Sequence, residues 1–140
     1  MKIYVLAWLF LFILLPNLAV AEEQLKTKTS WDGGAIKYPQ GPAEITSVKI
    51  RIEENQMTKF HCHPVPTLGY ILQGDLAVET KNGNKIIIKE GESIVEVMRT
   101  IHRGRAVNGP VEVIVFYVGS TGIPNTVYPE NDFNGEYCNF

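Results

Sequence analysis

Cysteine is scarce in this chain. Two occur in 140 residues, Cys62 and Cys138, too few to hold a small domain together as a disulfide scaffold. They could pair and pin the tail to the rest of the chain, or stay reduced. The sequence leaves both open. Positive charge is also limited: 13 Lys and Arg stand against 15 Asp and Glu, a net of −2 at pH 7. No basic stripe interleaved with aromatics is present, which excludes nucleic acid as a partner. Internal repeats and low-complexity segments are absent as well. No apolar run reaches the roughly 20 residues that a membrane-spanning helix needs.

The first residues carry a different pattern. Met1-Lys2 opens a run that stays apolar from Ile3 to Leu15, then Pro16 and Asn17 follow, and the segment closes on Ala19-Val20-Ala21. A short basic start, a dozen apolar residues and a small-x-small ending describe a secretory signal peptide over residues 1–21. The pattern predicts an exported chain, periplasmic or secreted, that begins at Glu22 and keeps no membrane attachment. No cysteine sits at the cut, so a lipidated N-terminus is not expected. The remaining length suits one domain with one core.

From Ile45 onward the punctuation is that of a β-protein. Val48, Ile50 and Ile52 alternate with Lys49, Arg51 and Glu53, as on a half-buried strand. "GYILQGD" reads as a strand ending in a turn at Gly74-Asp75. "LAVET" and "KIIIKE" flank Lys81-Asn82-Gly83-Asn84, whose Asn-Gly pair marks a hairpin. "GESIVEV" and a long strand from Val111 follow. Short strands at close spacing without helical periodicity predict an all-β fold, an antiparallel barrel or sandwich. The barrel is expected over residues 44–120, between an N-terminal arm at 22–43 and a C-terminal arm at 121–140.

Three histidines are present: His61, His63 and His102. The first two have the period-2 spacing that puts both side chains on one face of a strand. The third falls on a later segment that a hairpin would fold back beside them.

The stretch "NQMTKFHCHPVPTLGYILQG" from Asn55 to Gly74 resembles the first motif of the cupin superfamily: Gly, His-x-His, Glu, Gly at fixed spacings. "GESIVEVMRTIHRGRAVN" from Gly91 to Asn108 resembles the second, Pro-x-Gly-x-x-His. The resemblance implies a small jelly-roll barrel in which His61, His63 and His102 are metal ligands. It also allows a homodimer through paired or swapped edge strands. Some positions depart from the pattern. Asn55 replaces the first Gly, a mild change because Asn tolerates the left-handed conformation. The motif's Glu falls on Thr67, a poor ligand. Val97 and Arg99 replace Pro and Gly, so the second turn is expected to be shaped differently. Asn108 receives no role.

On this resemblance, three imidazoles would hold a divalent transition metal, with other positions open to water or substrate. Imidazole suits Zn, Fe, Cu or Ni better than Mg or Ca. With no motif carboxylate, such a centre would favour a small, anionic ligand. Glu96 alternates with Ile94 and Met98 and shares a face with His102 along an unbroken strand. It is the candidate fourth ligand or general base; a solvated outer position is the alternative. Tyr70, Leu72, Val115 and Tyr117 are candidate inward residues. Tyr117 could offer its hydroxyl to a bound ligand or serve as core. Arg99, Arg103 and Arg105 could grip a carboxylate, or be ordinary surface. Cys62, between two candidate ligands, points away from them. The chain is thus expected to be a metal-dependent enzyme on a small molecule (oxygenase, isomerase or hydrolase) or a binding and sensing module with the same fold.

Overall fold

The computed structural model describes residues 19–140; most of the expected signal segment, residues 1–18, lies outside the described residues. Five strands follow: β1 (Ala43–Ile52), β2 (Thr67–Thr80), β3 (Lys85–Ile88), β4 (Ser93–Val95) and β5 (His102–Ser120). A short 3-10 turn occupies Pro129–Asn131. The sheet order is β1-β5-β2-β3, with β4 also on β2, and the named strands all pair antiparallel. The fold is the all-β, antiparallel barrel that the strand pattern predicts.

Two long strands organise it. β2 and β5 pair from Thr67↔Tyr117 to Thr80↔His102. In the middle the register breaks between Ile71 and Asp75. Gly74 sits there at φ 76°, and Asn108-Gly109 sit opposite at φ 57° and 110°. Extra residues of this kind bend a strand and let it pass from one sheet to another. A side chain at Gly74 would meet the Pro110 carbonyl oxygen, so glycine is required by contact as well as by conformation. The Gly74-Asp75 pair therefore bends β2 and does not end it.

The bend also reverses which residues face inward. Before it, Thr67, Gly69 and Ile71 of β2 are buried; after it, Leu76, Val78 and Thr80 are. β5 reverses in the same way, from His102, Gly104 and Ala106 to Val111, Val113, Val115 and Tyr117. Tyr70 and Leu72, expected inside, lie on the outer face and are exposed, beside Leu68 and Phe116. Val115 and Tyr117 are inside as expected. On β1, Val48, Ile50 and Ile52 are the more buried set, and all three pack into one cluster around Val65, Ile71, Val78, Val111 and Val113. Full burial of such a side chain contributes about 1.5–3 kcal/mol, and the half-buried Val48 and Ile50 contribute less.

The Asn82-Gly83 hairpin forms between β2 and β3, with Glu79 opposite Lys85 and Gly83 at φ 98°. Both arms lie on the barrel. Residues 29–35 of the first make a closed turn through a Thr29↔Ala35 bridge. The second runs back past the histidines, through bridges Cys62↔Val127 and Thr100↔Asn139. Cys62 and Cys138 form a disulfide, which resolves the choice that the sequence leaves open. It sits in a small second core with Ile101 and Val127.

Candidate metal centre

His61 lies directly opposite His102 in an isolated antiparallel bridge, and each backbone N–H donates to the other's carbonyl at 2.9 Å. His63, two residues on, bridges to Met98. The backbone therefore brings the three imidazoles together without relying on flexible side chains. Their candidate ligand atoms all lie within 4.8 Å of one another, and the ring centroids are 4.6 to 5.0 Å apart.

A backbone carbonyl fixes each ring. The Nδ1 of His61 meets Lys59 O at 2.7 Å, that of His63 meets Asn125 O at 2.9 Å, and that of His102 meets Thr100 O at 2.8 Å. A carbonyl only accepts, so each Nδ1 carries the proton and each Nε2 keeps its lone pair free. Burial holds His63 well below the usual imidazole range, aided by the charges of His102 and His61. Burial lowers His61 and His102 too. Three neutral rings with fixed tautomers are the donor set a transition metal requires, so the residues fit such an ion.

The second motif reaches this arrangement by an unexpected route. Arg99 stands where the cupin pattern has Gly and adopts φ 60°, the left-handed conformation that glycine would supply at no cost. Its N–H donates to His63 O at 2.8 Å, and Asn139 N–H donates to its carbonyl at 2.7 Å. Arg99 thus takes the left-handed backbone at this turn despite its side chain, and the tail secures it. Asn55 shows the milder case, at φ 63°.

Glu96 points inward. Its Oε2 lies 3.7 Å from His102 Nε2 and accepts from the Trp31 indole N–H at 3.3 Å. Burial raises its pKa above the ordinary carboxylate value, and the Trp31 hydrogen bond opposes that shift. The solvated alternative for Glu96 does not apply. Thr67 is buried, and its hydroxyl donates to Val65 O at 3.1 Å. Tyr117 lies with its ring centroid 5.5 Å from that of His63, and its hydroxyl bonds none of the described residues.

These groups line a cavity of about 70 Å³, room for several waters or a few heavy atoms. Its other walls are mostly apolar, with Ile50, Leu76, Val78, Val113 and Val115 among them, and Thr58, Gly69 and Gly104 complete it. None of the three arginines lines it. Arg99 donates to Glu136 O. Arg103 pairs with Glu79 and lies over the Phe60 ring, while Arg105 is exposed. All three are occupied elsewhere or face outward, so the expected carboxylate grip is not built. Trp31 and Asn125, which hold Glu96 and His63, were not among the sequence candidates.

The cupin domain family matches residues 48–117, and the chain belongs to that family. Solved structures agree in fold. The DMSP lyase DddQ from Ruegeria pomeroyi DSS-3 is 16% identical, with a TM-score of 0.54 over 63% of this chain and 44% of that one. A cupin-like protein from Thermotoga maritima is 15% identical, with a TM-score of 0.53 over 66% and 70% of the two chains. Lactobacillus farciminis oxalate decarboxylase, in a formate complex, is 18% identical, with a TM-score of 0.53 over 61% and 26%. This chain thus spans less than half of either enzyme. At these identities the likeness is one of fold. No curated protein matches the chain in sequence.

Proposed function

We propose that this protein is an exported, metal-dependent enzyme of the cupin family that acts on a small molecule. His61, His63 and His102 would hold one divalent transition metal (Zn, Fe, Cu or Ni), and Glu96 would move a proton beside it. The observation that carries this reading is the carbonyl anchoring of all three Nδ1 atoms, which leaves three Nε2 lone pairs free on rings whose candidate ligand atoms lie within 4.8 Å of one another. Such an ion supplies Lewis-acid or redox chemistry to whatever occupies its open positions.

The chain's own residues would do the rest. Glu96 lies beside His102, within reach of a ligand bound there directly or through one water. Its burial favours the neutral form, which can donate a proton; the carboxylate left behind then accepts one in return. Tyr117 and Thr67 border the same space, and Tyr117 offers an unclaimed hydroxyl. The apolar walls favour a ligand with a small apolar body. With no Lys or Arg in the lining, the ion's own charge would be what attracts an anionic head. A carboxylate beside the open positions suits proton transfer to a bound molecule, so Glu96 supports catalysis over sensing. The named enzymes of the same fold, a DMSP lyase and an oxalate decarboxylase, are consistent with small-molecule chemistry. Export is supported by the pattern of residues 1–21 and by the disulfide, since such bonds persist in oxidising compartments.

Metal analysis of the protein recovered from its own compartment tests this reading. About one transition metal per chain is expected, with most of it lost in His102→Ala, and the mature N-terminus should be Glu22. Equal and negligible metal in parent and variant would refute the centre; an intact Met1 in all recovered protein would refute cleavage.

A further inference from the structure

We infer that Trp31 is a positioning residue of the centre. Its indole N–H holds the Glu96 carboxylate in the cavity beside His102, which makes residues 29–35 of the N-terminal arm part of the site. The inference rests on the proposed metal centre and extends it to a segment outside the cupin match.

Three observations converge. The Trp31 indole donates to Oε2 of Glu96, the same oxygen that lies 3.7 Å from His102 Nε2. The Trp31 backbone N–H donates to Val95 O at 3.0 Å, so the arm is fastened to the residue just before Glu96. On its other side, Glu96 N–H donates to Thr67 O at 2.9 Å. Carboxylate and backbone are thus both fixed. The turn carrying Trp31 is itself closed: Ser30 N–H donates to Gly34 O and Gly33 N–H to Ser30 O, each at 2.9 Å. Ser30 Oγ donates to Asp32 Oδ1 at 2.6 Å. Trp31 also packs against the main core.

The choice of side chain suits this task. An indole N–H is a donor only. It takes up one lone pair of Oε2, cannot compete for a metal, and leaves the remaining carboxylate lone pairs for the cavity. Partners one step removed from the ion orient ligands and tune affinity in this way. The position that the cupin pattern gives to a carboxylate is Thr67, whose hydroxyl is committed to Val65 O. A carboxylate arrives instead from β4's end, and the N-terminal arm holds it.

Co²⁺ is a suitable probe because its visible absorption reports the ligand set directly. In the full chain, Trp31→Phe keeps an aromatic body and removes the N–H. It is expected to change the Co²⁺ spectrum in the same direction as Glu96→Gln and to weaken Co²⁺ binding about tenfold. The double variant should match Glu96→Gln alone. A parental spectrum in Trp31→Phe, or additive effects in the double variant, would overturn the inference while leaving the metal centre standing. A parent that binds no Co²⁺ would overturn both. A second measurement leaves Trp31 intact. In the full chain carrying Trp8→Phe, Trp31 is the one tryptophan, and Cu²⁺ should quench its emission with saturation at one ion per chain. Bound Cu²⁺ with undiminished emission would refute the placement.

Discussion

The arm before the barrel reaches the centre with a side chain, whereas the arm behind it reaches with its backbone. Trp31 touches Glu96 through an indole N–H; Asn125 touches His63 through a carbonyl oxygen. The first contact can be deleted by one substitution, and the second cannot. Their anchoring differs in the same sense. The N-terminal arm is fastened by hydrogen bonds and packing. The C-terminal arm is fastened covalently through Cys62, the residue between two of the histidines. In the proposed centre this is a division of labour: the covalently held arm fixes a ring that would bind the metal, and the other holds the carboxylate proposed to move a proton.

The strongest way to break this asymmetry is to cut the covalent link. Replacing Cys62 and Cys138 together by Ala frees a loop with a sequence separation of 76. On chain-entropy grounds the loss is about 4 kcal/mol, readable as a lower denaturation midpoint in urea. Metal affinity should fall with it, because Asn125 O is then less firmly placed against His63. Unchanged affinity would show that the tail is only a staple.

Acidification sharpens the contrast next. The folded pKa values of the three histidines lie below the ordinary 6.5, so the unfolded chain takes up protons first as pH falls. Their stabilisation is complete above about pH 6.5 and is lost as pH drops from there through the folded values. The metal-free protein should melt about 5 °C or more lower at pH 5 than at pH 7.5. Glu96 has the opposite sign: its folded pKa is raised, so its contribution is lost as pH rises. Glu96→Gln should therefore deepen the loss in acid. A flat melting profile would contradict the burial assigned to these rings.

The smallest effect belongs to a residue outside both arms. Thr67→Val removes one hydrogen bond to Val65 O and should cost about 1 kcal/mol, with metal stoichiometry unchanged. Loss of metal would make Thr67 a ligand in its own right.

Much of this was readable before folding. The His-x-His spacing places two rings on one face, and Glu96 shares the parity of His102 in sequence as in space. The Asn82-Gly83 hairpin and the alternation of β1 follow from local chemistry. The inward set of β2 did not follow, for a physical reason. The bend at Gly74 reverses parity within one strand, and the inward position at 69 is a glycine with no side chain to mark it. The apolar outer residues Leu68, Tyr70 and Leu72 then look like core. Arg99 was unreadable in another way: a left-handed arginine leaves no trace in composition. Trp31 offered one signal, a tryptophan in a polar, glycine-rich arm.

Gly69 and Gly104 carry a last consequence. A methyl group at Gly69 would stand 3.1 Å from Ile94 Cγ2 and 3.4 Å from Val113 Cγ2, and one at Gly104 would stand 3.1 Å from Leu76 Cδ1. The room available to a guest is thus set by two hydrogens where other residues carry carbon. Among guests lengthened one methylene at a time, tolerance should end abruptly, because close-packed walls yield little. The barrel would then act as a gauge of length as much as a vessel for chemistry.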